Sequence, residues 1–482
     1  MILGKDGIER LPPPVGTSDW ATFSRDSYCV DKTLMIKDLI DTKTRVALFT
    51  RPRRFGKTTA MEMIRAFYEG DASLFEDKLI WAAGEKYRAE QGAHPVIFLS
   101  FKDVKQQTVE EAFVKLTSLL SSEIFRHRAA VADGLKDEVK RKKLDAVYNG
   151  TASRDELGES LGLLAEAIHA HSGKKPVILV DEYDQPITTA SVNGFYDEMC
   201  AFMRVFLSGA LKDNEHCHMG LMTGVLRVAK EGILSGLNNL DVWTVFDKAF
   251  SQYFGFTEAE VETMAKYYGA ADKMPEIKSW YDGYDFAGTE IYNPWSVLQY
   301  FKRDCKPDAY WLDTSSNDLI TEIVRDLPHD MVRTLEALLR DETPYVTMAK
   351  DLGPYRDIVK NKSSLYALLV SSGYLKVASP LEEGVCAVAI PNHEIAQVFV
   401  GDIRDKINRH LAVGTGDIAT AIVCRDMPAF RSAIASFLLE SVSYFDAAAE
   451  GFFHGLTLGF LAVLRKRFRV LSNAESGEGR FD

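Results

Sequence analysis

The segment of residues 51–58 has the composition and the position of a loop that binds phosphate. It follows a short apolar run, residues 45–50, and it precedes a pattern with Met61, Ile64 and Phe67 on one helical face. Backbone N–H groups at the start of a helix attract an anionic phosphate. The sequence therefore predicts a strand, a phosphate-binding loop and a helix in that order.

Three consecutive residues of this segment would each have a role in phosphate binding. Gly56 would let the backbone approach the phosphates closely. Lys57 would contact the β- and γ-phosphates, and the Thr58 hydroxyl would be a ligand of Mg²⁺. The predicted nucleotide-binding residues are Arg54, Phe55, Gly56, Lys57, Thr58 and Thr59.

The loop departs from the usual pattern GxxxxGK[ST], which has glycine where Arg51 stands. Gly56, Lys57 and Thr58 alone are also compatible with an ordinary basic turn between a strand and a helix. On this segment by itself, both interpretations stay open.

A second acidic pattern follows the apolar residues 177–180, where Asp181 and Glu182 stand side by side. A buried strand of this kind delivers its carboxylates to the edge where open α/β sheets bind ligands. Asp181 would hold Mg²⁺, directly or through water, and Glu182 would orient and deprotonate an attacking water. The alternative is a strand followed by a helix whose first turn favours acids.

The two patterns together favour a domain that hydrolyses nucleotides. Asp181 lies 124 residues after Lys57, and a further strand is predicted at residues 95–100, which fits a domain with an inserted central strand. Thr223, at the end of a weaker strand pattern, is a candidate sensor of the γ-phosphate, and Arg227 is a candidate for stabilising transition-state charge. Ordinary polarity at a strand end is the competing explanation for both.

The elements that position these residues are read from hydrophobic periodicity. Residues 45–50, 95–100, 176–180 and 218–223 are apolar runs without alternation, which is typical of a parallel sheet covered on both faces. Helical patterns lie between them, and Thr108 and Ser153 each precede a glutamate by three residues, as in a capping box. We expect an α/β fold, a doubly wound parallel sheet of the P-loop NTPase type, within residues 1–250.

The pattern changes after residue 250. Thr257 and Asn293 each start a predicted helix, and a helix over residues 365–371 precedes a predicted hairpin of residues 374–378 and 385–390. Helices followed by a hairpin suggest a helical lid and a winged-helix-like region within residues 251–400.

Composition excludes several classes of protein. The chain has 482 residues and a formal net charge of −12, which argues against a surface that is basic throughout for nucleic acid. Its six cysteines form no CxxC pair, which indicates reduced thiols and a cytoplasmic location instead of a disulfide framework. No signal peptide is visible, and the apolar residues 451–464 are interpreted as a buried helix, so we expect no membrane association.

The chain resembles the AAA-ATPase-like proteins that carry a C-terminal PD-(D/E)XK nuclease-like domain. The resemblance covers nearly the whole chain and rests on residues 28–33, 51–58, 179–184, 223–230, 235–239, 280–284, 292–296, 314–317 and 472–482. It implies ATP and Mg²⁺, with Lys57, Thr58, Asp181 and Glu182 in the roles given above. The family shares the missing first glycine, so Arg51 does not count against nucleotide binding.

The resemblance also implies a nuclease-like region over residues 401–482. In the family pattern Asp482 would be the first metal ligand borne on a strand, and the acid-x-Lys element that should follow is absent. Glu475 and Glu478 are interpreted as residues of a solvated loop. We therefore expect a truncated PD-(D/E)XK-like α/β segment that does not cut nucleic acid.

Two weaker signals are set aside. The basic residues 465–469 belong to a region, 401–482, whose ten acids balance its ten lysines and arginines. His216, Cys217 and His218 do not converge easily on one metal ion, because adjacent residues of an extended chain point to opposite faces.

Three hypotheses remain. The first is a Mg²⁺-dependent ATPase whose cycle drives a conformational change. The second is a nucleotide-dependent switch or scaffold with little turnover. The third is the ATPase part of a defence or mobile-element ATPase–nuclease. ATP is the expected partner, while nucleic acid, self-association and a protein partner are left open.

Overall fold

The structure is a computed structural model. It describes residues 2–3, 8–227, 239–311, 329–349, 361–379 and 384–398, positions 358 and 382, scattered residues between 421 and 434, and residues 474–476 and 479–481. The chain divides into two compact units, of which the first holds residues 1–316 and 328–397. The second unit holds residues 317–327 and 398–482. The expected division at residues 250 and 400 stays a prediction.

The first unit is built on five parallel strands. They are β1 (Val46–Thr50), β2 (Val96–Ser100), β3 (Val177–Asp181), β4 (Met219–Gly224) and β5 (Leu240–Trp243), in the spatial order β2-β3-β4-β1-β5. Every residue of β1, β3 and β4 is buried, as expected of a sheet covered on both faces. The α/β class, the parallel sheet and four of its strands are thus confirmed, whereas β5 was not predicted.

Strand β4 determines how the predicted site assembles. It pairs with β1 on one side and with β3 on the other, with Leu48 opposite Met222 and Leu179 opposite Leu221. Because neighbouring strands are about 4.8 Å apart, the carboxyl ends of β1 and β3 lie about 10 Å apart with the end of β4 between them. The inserted central strand is therefore β4, while β2 lies at the edge of the sheet.

Helices precede β1 and connect the strands of the sheet. Those of two turns or more are Trp20–Asp26, Leu34–Thr42, Lys57–Glu69, Val109–Arg126, Arg128–Gly134, Glu138–Tyr148, Arg154–Ser172, Gln185–Asn193 and Tyr196–Leu211, and single turns occur at Leu79–Ala82 and Glu85–Arg88. Ser153 and Glu156 form the predicted capping box. Thr108 accepts the Glu111 N–H at 3.3 Å and so provides its half of the second one.

Residues 251–311 add helices Glu258–Tyr267, Met274–Tyr281 and Pro294–Lys302 and a short hairpin of Tyr284–Phe286 with Thr289–Ile291. Asn293 caps the third helix as predicted, since its side chain accepts the N–H groups of Trp295 and Ser296. Farther along are helices His329–Leu339, Lys362–Ser371 and His393–Val398.

A three-stranded antiparallel sheet accompanies these helices. Strand Val385–Ala389 lies between Tyr345–Thr347 and Lys376–Val377. The helix predicted at 365–371 and the hairpin after it are confirmed, and the strand Tyr345–Thr347 is an addition. The lid and winged-helix-like interpretation stays a prediction.

In the second unit, strands Ala474–Ser476 and Gly479–Phe481 pair as a short antiparallel hairpin. Glu475, which was expected in a solvated loop, lies instead in the first of these strands, opposite Arg480. Predictions for Glu478, Asp482 and residues 451–469 fall outside the described residues. No helix in the part of the chain that the structure describes is long and apolar enough to cross a membrane.

Candidate nucleotide site

The loop between β1 and helix Lys57–Glu69 has an open face at Gly56. Gly56 adopts φ 79°, a conformation that other residues rarely take, and a Cβ added there would meet nothing within 4 Å. Arg54 also has a positive φ, 68°. The loop thus exposes backbone N–H groups at the first turn of a helix, an arrangement that attracts an anion.

Lys57 is buried, and its ammonium group is held inside the loop. Nζ donates to the carbonyls of Arg51 and Pro52, each at 2.9 Å. Burial lowers the pKa of Lys57, and the nearby carboxylates of Glu182, Asp184 and Asp181 oppose that shift. The Lys57 side chain therefore stabilises the loop through two backbone carbonyls, and its ammonium group lies near three carboxylates.

Asp181 is the centre of the polar network. It is fully buried at the end of β3. Thr58 Oγ1 donates to its Oδ2 at 2.8 Å, and Ser100 Oγ donates to the same oxygen at 3.4 Å. Thr223 Oγ1 donates to Oδ1. The carboxylate therefore joins β2, β3, β4 and the helix that follows the loop.

Glu182, the next residue, turns out of the strand. Its φ is 53°, and its N–H donates to Thr223 Oγ1 at 3.3 Å. Burial raises the pKa of Glu182, and the charge of Lys57 partly opposes this. A carboxyl with a raised pKa in a cleft is a candidate general base.

The turn after β3 is locked to the end of β4. Asp184 Oδ2 accepts the N–H groups of Val225 and Leu226 at 2.8 and 2.9 Å. A Cβ on Gly224 would lie 2.7 Å from Asp184 Oδ1, so the position has no room for a side chain. Burial raises the pKa of Asp184, although these backbone bonds oppose it.

Arg51 occupies the first position of the loop and is fully buried. Its Nη1 donates to the carbonyls of Thr50 and Trp243 at 2.9 Å, and its guanidinium lies over the rings of Phe254 and Phe286. Burial lowers the pKa of Arg51 to about 9. The arginine therefore anchors the loop to β5 and does not reach toward a ligand.

A cleft of about 490 Å³ opens in front of the loop. Its lining has one carboxylate, Glu182, against six basic side chains, Lys32, Arg53, Arg54, Lys57, Lys102 and Lys105. This concentration of positive charge contrasts with the net charge of −12 of the whole chain. Such a field suits a polyphosphate.

Aromatic side chains form the walls of the cleft. Trp20 and Phe23 belong to the first helix, and Trp295 belongs to helix Pro294–Lys302. The Arg54 guanidinium lies 4.1 Å from the centre of the Trp295 ring. The Trp295 Nε1 atom is buried and has no hydrogen-bond partner among the described residues.

The structure brings most of the predicted residues together. Residues 53–59 and Glu182 line the cleft, and buried Asp181 and Thr223 lie behind them. The Asp181 carboxylate accepts a hydrogen bond from the Thr58 hydroxyl and another from the Thr223 hydroxyl. Arg227 follows β4 and is half-buried, but it is not among the cleft-lining residues described. The proposed roles themselves stay predictions.

Sequence reasoning missed several residues of the site. Ser100 ends a predicted strand at the same sheet edge, a signal that was available. Lys32 and Trp295 lie in two of the segments that carry the family resemblance, residues 28–33 and 292–296, but they were not assigned to the site. These two residues and Trp20 lie outside the strand–loop–helix pattern, and no local feature connects them to the loop.

Two comparisons with known proteins cover the part of the chain that carries the site. Residues 14–234 match the sequence model of a family described as "Predicted AAA-ATPase". The chain is also similar to an uncharacterized protein in the vnfD 5′ region of Azotobacter chroococcum mcd 1, with 27% identity over 458 residues, which covers 89% of this chain and 78% of that protein. The matched segment contains the loop and β1 to β4, which carry the site.

Proposed function

We propose that this chain binds ATP with Mg²⁺ in the cleft, hydrolyses it, and couples the cycle to movement of the helical segments after residue 250. The match to a predicted AAA-ATPase family suggests ATP binding and hydrolysis. Binding of ATP with Mg²⁺ in this cleft is supported above all by the hydrogen bond from Thr58 to Asp181 at 2.8 Å, which lies behind the basic lining of the cleft.

Phosphate binding follows from the loop and the charges around it. The open face of Gly56 and the first N–H groups of helix Lys57–Glu69 would hold the β-phosphate. Lys57 Nζ would exchange its two carbonyl partners for phosphate oxygens, which are stronger acceptors because they are charged.

The residues behind the loop fit a magnesium ion. Thr58 and Asp181 offer a hydroxyl and a carboxylate oxygen, the hard ligands that Mg²⁺ takes together with water and phosphate. When bound, Mg²⁺ offsets the negative charge that develops on the transferred phosphoryl group. Ser100 and Thr223 would hold the Asp181 carboxylate in place.

Glu182 would act on the attacking water. It lies in the cleft beside buried Asp181, and its pKa is raised by burial. A carboxylate with a raised pKa is a better base near neutral pH than an ordinary glutamate. Its positive φ directs the residue out of the strand and away from the Asp181 position.

Contacts between the loop and the later helices support the coupling. Arg54 stacks on Trp295, and Trp311 Nε1 donates to the Arg53 carbonyl at 3.4 Å. A loop that rearranges around phosphates would therefore directly displace Trp295 and Trp311, which both lie after residue 250.

The test is phosphate release from ATP by the purified chain with Mg²⁺, with and without DNA or RNA. We expect Lys57→Ala to abolish turnover and Glu182→Gln to leave only a small residual activity, while the exposed controls Lys212→Ala and Glu110→Gln keep full turnover. Equal turnover in the wild type and in both site variants would overturn the proposal. Tight ATP binding without phosphate release would select the switch or scaffold hypothesis instead.

A further inference from the structure

A second cluster of metal-ligand side chains lies at the amino ends of the parallel strands, whereas the cleft lies at their carboxyl ends. His94 is two residues before β2, and His218 immediately precedes β4. Glu90 lies just after the short helix Glu85–Arg88. The amino ends of parallel strands meet at one edge, so residues far apart in sequence come together there.

The three side chains have the spacing of metal ligands. One ligand atom from each of Glu90, His94 and His218 lies within 4.8 Å of the other two. Among the described residues no other group of three histidine, cysteine, aspartate or glutamate side chains meets this criterion. His218 thus meets partners from another strand, not its neighbours His216 and Cys217.

His94 is oriented as a metal ligand would be. Its Nδ1 lies 2.8 Å from the Lys175 carbonyl, and because a carbonyl only accepts, Nδ1 carries the proton and donates. In the neutral ring Nε2 then has a lone pair, and it lies 3.4 Å from Glu90 Oε2. Two acceptors facing each other repel unless a cation lies between them or the ring is protonated. A hydrogen bond from the other ring nitrogen to a carbonyl is the usual outer-shell support of a ligating histidine.

A buried hydroxyl beside the cluster has no hydrogen-bond partner. Within the described residues, the buried Tyr68 OH makes no hydrogen bond, and the buried Glu90 Oε2 makes none beyond its 3.4 Å contact with His94 Nε2. Tyr68 packs edge-on against both imidazoles, at 5.8 Å from His94 and 6.2 Å from His218. Buried polar atoms without partners require an explanation, and an ion with its bound water supplies one.

His218 packs directly against His94. The two rings are stacked, with centroids 3.7 Å apart and planes at 22°. Lone pairs of stacked rings run side by side, so binding one ion requires one ring to rotate out of the stack.

We propose that Glu90, His94 and His218 bind a divalent transition-metal ion, with Zn²⁺ as the representative. Two imidazole nitrogens and one carboxylate oxygen form a ligand set that zinc accepts, with a fourth position left for water. Mg²⁺ prefers oxygen ligands, so this site differs in chemistry from the one proposed behind the phosphate loop. The two lie at opposite ends of helix Lys57–Glu69, which is about 20 Å long.

The test uses the full chain, treated with chelator and then titrated with Zn²⁺ or Co²⁺ alone. We expect one equivalent of Zn²⁺ to bind and Co²⁺ to produce visible absorption bands from nitrogen and oxygen ligands. His94→Ala and His218→Ala should each weaken binding at least ten-fold, and Glu90→Gln should weaken it as well. His169→Ala is the matched control, because His169 and His216 are also paired, with their Nδ1 atoms 3.0 Å apart, but form no group of three metal-ligand side chains with any residue that the structure describes.

Absence of Co²⁺ bands and of Zn²⁺ binding in folded wild-type chain would overturn the proposal and would leave Glu90 and His94 as an ordinary ion pair. Unchanged binding in His94→Ala/His218→Ala would overturn it too. Circular dichroism of each metal-free variant separates loss of a ligand from loss of the fold. If a variant does not fold, the Co²⁺ absorption spectrum of the wild-type chain decides between the outcomes. The test involves no nucleotide, so it is independent of the proposed function.

Discussion

Thr58 and Asp181 are 123 residues apart in the chain, yet Thr58 Oγ1 donates a hydrogen bond to Asp181 Oδ2 at 2.8 Å. Thr58 lies at the start of helix Lys57–Glu69, and Asp181 is the last residue of β3. Strand β3 does not pair with β1, the strand that precedes this helix, so the hydrogen bond connects two elements that are not neighbours in the sheet. Since Asp181 is fully buried, its carboxylate oxygens need hydrogen-bond partners, and the surrounding hydroxyl groups provide them. The pair therefore holds two metal-ligand candidates in place before any ligand binds.

The first prediction concerns the Thr58 hydroxyl. Thr58→Val keeps the shape of the side chain but removes the hydroxyl, so we expect ATP turnover to fall about 100-fold or more. Thr58→Ser restores the hydroxyl and should keep most of the activity. The measurement is turnover as a function of Mg²⁺ concentration. Equal Mg²⁺ dependence in Thr58→Val and wild type would show that Thr58 is not a ligand.

The second prediction is an acid limb in the pH profile. Burial raises the pKa of Glu182 above its ordinary value of 4.5. The base acts only when ionised, so kcat/KM should fall as the pH drops through this raised pKa. The residual activity of Glu182→Gln should lack the limb, because glutamine does not titrate. The same limb in Glu182→Gln would assign it to another group, with buried Asp184 as the first alternative.

The third prediction tests the lock between the turn after β3 and β4. A Cβ on Gly224 would lie 2.7 Å from Asp184 Oδ1 and 2.8 Å from Tyr183 Cε1. We expect Gly224→Ala to lower the free energy of unfolding by about 1–3 kcal/mol, because both neighbours are buried and must shift. Urea unfolding measures this.

Gly209→Ala is the control for that substitution. Gly209 lies within helix Tyr196–Leu211, and a Cβ there would meet nothing within 4 Å. It should be neutral or slightly stabilising, since alanine favours helix over glycine. Equal stability of Gly224→Ala and wild type would mean that the turn is looser than its contacts indicate.

The core of the site could be predicted from the sequence because its signals are local. Val46–Thr50 and Val177–Asp181 are apolar runs without alternation, and both end at polar residues. Parallel strands place those ends at one edge, so Lys57, Thr58 and Asp181 follow from pattern alone. Strand Leu240–Trp243 escaped prediction because it is short, half-exposed and interrupted by Asp241.

Residues brought in by tertiary contacts could not be predicted in this way. Trp20 and Trp295 are 275 residues apart in the sequence and meet only at the cleft, and His218 meets the local pair Glu90 and His94 only through the order of the strands. The register of β2, β3 and β4 determines the second case. Such pairs have no periodicity to reveal them, because nothing in either local segment depends on the other.

The last prediction concerns Trp295, whose ring forms a wall of the cleft and stacks with Arg54 at 4.1 Å. Trp295→Leu removes both the aromatic surface and the cation–π contact, each worth about 1 kcal/mol. We expect KM for ATP to rise roughly ten-fold or more with a smaller change in kcat, whereas Trp295→Phe, which keeps a ring, should lie between. Trp280→Leu is the matched control, since both tryptophans are half-buried and pack against the cluster around Tyr281, whereas Trp280 lies outside the described lining of the cleft. If Trp295→Leu lowered kcat and left KM unchanged, Trp295 would serve the coupling between loop and helix and not the binding of nucleotide.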